Sequence, residues 1–239
     1  MRAIVLITQR ELKRYFDSLI AYILLGVFLG LSGFFTWLYG MDIFKMGEAS
    51  LRVFFSIAYW TLFFFIPAIT MGMIAQEKKS GTMELLLTYA VTDWKVVMGK
   101  FLAALTLIVT ALLFTFPYVW TVSSIGNLDE GATICGYLAL TLMSAAYISI
   151  GLLASSLAKD QIVAFLIAIL IAILFHTVFD VMARSLGGFY QQLFSYLSVT
   201  SHYNDISRGV IDSKNIIYLL SLTFLGLFLT EAQLAQRKN

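Results

Sequence analysis

Apolar runs separated by short polar connections set the plan of this chain. Six of them lie at residues 19–39, 53–75, 99–125, 133–157, 161–180 and 215–235, each near the roughly 20 residues that a bilayer core requires. Ahead of the first run, residues 1–17 follow a different pattern. At 100° per residue, Ile4, Val5, Leu12, Tyr15 and Phe16 fall on one arc of a helix, and Arg2, Arg10, Lys13 and Arg14 fall on the other. That pattern predicts an amphipathic interfacial helix with Arg10, Lys13 and Arg14 toward anionic head groups. The alternative is a basic flank that only fixes topology, and both readings put the N-terminus in the cytoplasm. With that orientation, eleven of the 16 lysines and arginines fall on cytoplasmic pieces and five on outer ones, the bias of the positive-inside rule. The sixth span returns the C-terminus to the cytoplasm.

Between the last two spans, residues 181–214 break the pattern. Phe189, Tyr190, Phe194, Tyr196 and Tyr203 are interleaved there with Gly187, Gly188, Ser195, Asn204 and Asp205. The stretch is too polar to span and too aromatic for a solvated loop, so short re-entrant helices in the outer leaflet are expected. Asp212 or Ser213 can cap the last span.

Composition agrees with the pattern and narrows the function. With 60% hydrophobic and 13% charged residues, against about 25% charged in soluble domains, this is an all-α integral membrane protein. A net charge of +2 gives no footprint for nucleic acid. The lone Cys135 can form no internal disulfide and no metal cage. The first apolar run is longer than a signal core and lacks a small-x-small cleavage pattern.

Chemistry concentrates in the connection at residues 76–98. Gln76-Glu77-Lys78-Lys79-Ser80-Gly81 leads into Thr82-Met83-Glu84-Leu85-Leu86-Leu87-Thr88. Gly81 and Thr82 can end an extended approach and cap a new turn, with Glu84 in the first turn where exposed N–H groups favour a carboxylate. Leu85, Leu86 and Leu87 give this short helix more apolar surface than a solvated loop needs, so docking against another surface is expected.

From Gln76 to Phe101 the motif resembles the cytoplasmic loop of type-2 permeases of ATP-binding-cassette (ABC) exporters. The likeness is to the branch with the gliding-motility and copper-reductase-maturation permeases. Glu77, Lys78, Gly81, Thr82, Glu84, Leu86 and Leu87 fall at its recurring positions, and Gly99, Lys100 and Phe101 at the start of the next span. Two positions depart: Gln76-Glu77 stands where an acidic pair often opens the motif, and Ala90 replaces a common proline. The resemblance implies a single six-span permease domain in a bacterial inner membrane. It also implies a coupling helix, with Glu77, Lys78, Lys79, Gly81, Thr82, Glu84 and Leu85 to Leu87 meeting an ABC ATPase. A second permease copy, identical or related, completes the assembly, and an outer accessory protein is an optional addition. ATP and Mg belong to the ATPase, with no cofactor or metal held by this chain. A mechanotransmission complex, moving an outer partner with nothing crossing the membrane, is the alternative output.

Other candidates are weaker. Pro67 and Pro117 fall inside predicted spans, as hinges or as fixed kinks. Gly26, Gly30 and Gly33 have GxxxG-like spacing. His176 and Asp180 lie one helical turn apart within a span, an intramembrane polar pair that is either structural or substrate-facing. His176, His202 and a carboxylate show no ligand spacing that repeats a known metal site. Gly30-Leu31-Ser32-Gly33 resembles the motif of rhomboid-type intramembrane proteases, and with His176 it could form a dyad. Apart from His176 the span centres lack charge, which disfavours ion-coupled transport. The sequence contains no phosphate-binding Gly-x-x-x-x-Gly-Lys-Ser/Thr loop, so the energy source is expected on a separate subunit.

Overall fold

The structure, a computed structural model, describes residues 2–38, 49–81 and 92–236. Helix α1 (Arg2–Asp17) leads into α2 (Leu19–Trp37), the first span, and α3 (Arg52–Lys79) is the second. The third span is broken into α4 (Asp93–Leu113) and α5 (Phe116–Ile125), and α6 (Glu130–Leu157) is the fourth. The fifth comprises α7 (Gln161–Ile173), a π-helical turn (Leu174–Val178) and α8 (Phe179–Ser185). Two short helices follow, α9 (Gly188–Leu197) and α10 (Val199–Ser207), before the last span, α11 (Ser213–Ala235). All six apolar runs thus form helices long enough to cross a membrane. No strand occurs among the described residues.

The bundle is built around α6, 78% of whose apolar stretch is buried. Its small residues explain why. A Cβ on Gly151 would lie 2.0 Å from Thr70 Oγ1 of α3, a separation that only a bare backbone tolerates. Ser144 and Ala154 continue this face fully buried, and Ala146 and Ser149 lie buried on the opposite one, where a Cβ on Gly226 of the last span would sit 2.5 Å from Ser149 Oγ, letting neighbouring backbones come close where lipid offers no hydrophobic drive for association. Ser155 goes further and engages the α3 backbone. Its hydroxyl donates to the Met71 carbonyl at 2.8 Å and accepts from the N–H groups of Ile74 and Ala75, each at 3.0 Å.

The proline expectations divide. Pro67 lies buried within α3, which continues unbroken around it. Pro117 lies within the third span at its break: it stands in the first turn of α5, at a position where no N–H is needed. Thr115 stabilises the break before it, donating to the Leu112 carbonyl at 2.6 Å and meeting the Tyr137 hydroxyl at 2.8 Å.

At the connection of interest, the helices extend further than hydropathy suggested. Gln76 to Lys79 form the last turn of α3, and Gly81, with φ 69°, follows the Ser80 cap. A left-handed glycine closing a helix is a common terminator, so Gly81 ends a helix here and not an extended approach. Thr82, Glu84, Leu85, Leu86 and Leu87, the expected coupling helix, lie outside the described residues.

Candidate functional site

Glu11, Glu77 and Lys100 meet at the end of the bundle where α3 enters that connection and α4 leaves it. Lys100 is fully buried. Its Nζ lies 2.8 Å from Glu77 Oε1 and 3.2 Å from Glu11 Oε1, and it donates to the Met73 carbonyl at 2.7 Å. An ammonium has three protons to donate, and these three acceptors use them all. Arg10 adds a second cation, 2.6 Å from Glu11 Oε1 and 3.2 Å from Glu77 Oε1. Two buried carboxylates thus meet the buried Lys100 and, from a half-exposed rim, Arg10 and Arg14, the latter with Nη1 3.8 Å from Glu11 Oε2. Burial pushes the Glu11 carboxyl up, but the Lys100 ammonium and the Arg10 guanidinium outweigh it and hold the group below the usual glutamate range.

Helix α1 reaches this site by packing on protein. Its covered face is Ile7, Glu11 and Tyr15, while Val5, Phe16 and Lys13 are exposed, so the face differs from the expected one. Gly99 allows the approach, since a Cβ there would sit 2.6 Å from Ile7 Cγ2. Thr8 donates to the Gly99 carbonyl at 3.1 Å, and Tyr15 to that of Ile69 at 3.1 Å. Arg14 bonds the Gln76 side chain. Arg10 and Arg14, expected toward head groups, are thus engaged with α1 and α3. Sequence reading placed Lys100 in the motif without a role and passed over Glu11. The available signal was a carboxylate on the same helical arc as Ile4 and Tyr15.

Of the remaining residues, Lys79 lies beside the ion cluster and pairs with Asp160 at 2.8 Å. Asp160 also accepts from the Ile162 N–H to cap α7, and the hydrogen bond from Lys79 holds its carboxyl low.

His176 is elsewhere, in the π-helical turn near the opposite end. Its Nδ1 is 2.7 Å from the Tyr147 hydroxyl, and its ring lies among Tyr59, Phe63 and Trp60 at 4.3, 4.3 and 4.8 Å between centroids. Asp180 pairs with Arg184 at 2.8 Å, and both line a cavity of about 650 Å³ together with His176. His202 is separate, bonded through Nδ1 to Asn215 and through Nε2 to the Tyr196 carbonyl. Among the described residues no cluster of histidine, cysteine and carboxylate could hold a metal. Ser32 is buried and its hydroxyl donates to the Leu29 carbonyl at 3.3 Å; with the His176 Nδ1 engaged by Tyr147, the structure forms no serine–histidine dyad.

An all-helical bundle of six spans, with an amphipathic helix pinned beside one connection and a helical pair before the last span, has the layout of a transporter's membrane component. The family model described as ABC-2 family transporter protein matches residues 38–231, and the chain belongs to that family. It is a multi-pass permease of an ABC system, and such permeases work with an ATPase partner. No individual curated protein matches the chain.

Proposed function

We propose that this chain is the permease subunit of an ABC exporter of the gliding-motility or copper-maturation type, driven by a separate ATPase that holds ATP and Mg. The ATPase docks at the cytoplasmic connection, on Glu77, Lys78, Lys79, Gly81, Thr82, Glu84 and Leu85 to Leu87. The observation that carries this reading is the buried Lys100–Glu77–Glu11 cluster. It joins the helix entering the connection, the helix leaving it and α1 into one block, so a push on the connection moves three elements together instead of flexing one loop. On this reading the N-terminus, the connection and the C-terminus face the cytoplasm of a bacterial inner membrane.

The assembly is a dimer of permeases, identical or related, joined through the first and fifth spans. Two features support that seam. Only 28% and 22% of the apolar stretches of these spans are buried, against 61%, 61% and 78% for the second, third and fourth. In addition, a Cβ at Gly26 or Gly30 would meet nothing within 4 Å, which leaves that face open for close helix approach.

Co-purification with a co-expressed candidate ABC ATPase is the test. Glu84→Lys, or alanine at Leu85 to Leu87, should lower recovery of the ATPase while membrane insertion stays intact. Unchanged recovery would overturn the docking assignment.

A mechanotransmission output has one observation in its favour. Helix α9 buries none of its residues and exposes Phe189, Tyr190, Leu193 and Tyr196, a surface suited to an outer accessory protein. Transport assays in proteoliposomes with the ATPase present separate the two outputs.

A further inference from the structure

The cavity that contains His176 lies at the far end of the bundle from the ion cluster, in a cleft between α3, the π-helical turn with α8, and α10. Three arginines converge on it: Arg52 from the first turn of α3, Arg184 from α8 and Arg208 from the end of α10. Arg184 is committed to Asp180. Arg52 and Arg208 are exposed and form no ion pair among the described residues. With one carboxylate set against three arginines among the described lining residues, these keep two positive charges. Ser56, Thr177, Asn204 and Ser207 add neutral donors.

The floor differs in kind. Trp60, Tyr59 and Tyr203 are aromatic, and the buried His176, 2% exposed, leaves its Nε2 without a hydrogen-bond partner. Thr200 donates its only proton to the His176 carbonyl, so the Tyr59 hydroxyl must donate to Thr200. That chain of bonds ties the π-helical turn to α10 and fixes the floor. Such turns are frequent at functional sites. If Tyr147 donates to Nδ1, His176 presents Nε2–H as a donor.

We propose that this cavity binds a phosphate-bearing amphiphile, an acidic phospholipid whose phosphate lies on Arg52 and Arg208 and whose glycerol and upper chain lie over the aromatic floor. Guanidinium forks match phosphate oxygens in pairs. The depth also suits a lipid. The arginines sit at helix ends, where head groups lie, and Trp60 is eight residues further along α3 (52 to 60), about 12 Å inward at 1.5 Å per residue. Trp60 is 48% exposed, which leaves the inner part of the cleft open at its side. The site is independent of ATPase docking, because every residue in it lies away from the connection and binding can be read on this chain alone.

The test uses the full chain in detergent and dihexanoyl phosphatidic acid, dihexanoyl phosphatidylcholine and inorganic phosphate as probes, read by calorimetry. Phosphatidic acid should bind more tightly than the zwitterionic lipid, with affinity falling about tenfold for each of Arg52→Gln and Arg208→Gln, the scale of one charge-assisted hydrogen bond. Binding of inorganic phosphate with the same dependence on both arginines supports the anion site and makes free phosphate the source; binding of phosphatidic acid alone makes it a lipid. In the unaltered, natively folded chain, phosphatidic acid should slow phenylglyoxal modification of Arg52 and Arg208, followed by mass spectrometry. Equal affinity for the two lipids, indifference to both substitutions, or unprotected arginines would overturn it.

Discussion

Lys100 Nζ and Glu77 Oε1 are 2.8 Å apart in a site where the lysine is fully buried, although they belong to helices on either side of residues 82–91. A pair of this kind contributes through the cost of breaking it. Removing one partner strands a buried charge, at about 3–5 kcal/mol. Lys100→Met should therefore lower the thermal unfolding midpoint in detergent markedly. Adding Glu11→Gln and Glu77→Leu should recover much of the loss, because the stranded carboxylates are then gone.

Acid should weaken the same site. The folded Glu11 carboxyl titrates below the free value of 4.5, so its contribution is complete above that pH and fades as pH falls through the folded value. Melting profiles of the unaltered chain should drop in this acid range. In Glu11→Gln the midpoint should be lower at neutral pH and its acid drop shallower. An unchanged acid slope in that variant would remove Glu11 from the account.

The approach of α1 depends on the bare backbone at Gly99. Gly99→Val should drive Ile7 away, loosening α1 and exposing it to limited proteolysis before the rest of the bundle. Gly99→Ala should do the same more weakly, and adding Ile7→Ala should not restore protection, because the new Cβ meets Ile7 Cβ at 2.7 Å as well as Cγ2 at 2.6 Å.

Ser155 supplies one donor and one doubly used acceptor to the α3 backbone. Ser155→Ala leaves those groups without that partner in a buried seam and should cost about 1–3 kcal/mol. Ser155→Cys, nearly the same size but a weaker hydrogen-bonding group, should fall between the two in a thermal melt.

Much of this architecture was readable from hydropathy, for a physical reason. A bilayer sets the length of a span, so the six runs, the helical pair α9 and α10, and the Asp212 cap on α11, where Oδ1 accepts from the Lys214 N–H at 3.0 Å, could be anticipated. What could not be read depends on partners remote in sequence. Glu11 reads as a fault in an amphipathic stripe until Lys100 is known to face it, and Lys100 reads as a flanking charge until α1 covers it. The π-helical turn at Leu174–Val178 has no signature in Leu-Phe-His-Thr-Val. Pro117 lies inside the third span as expected, and the break at Phe114–Thr115 falls beside the Leu113 carbonyl that its missing N–H would have bonded. The face of α1 was placed only partly, since its covered residues answer to the protein surface beneath and not to lipid.

The lysine beneath α1 also orders how the chain is made. Residues 2–17 are made before the spans they pack on, yet the buried cation that meets Glu11 and the bare backbone that admits Ile7 are both supplied by α4, two spans later. The amphipathic segment therefore cannot complete its packing until the third span is in place. A helix made before the spans is thus secured after them, and its locking reports that the membrane-inserted core beneath it has come together.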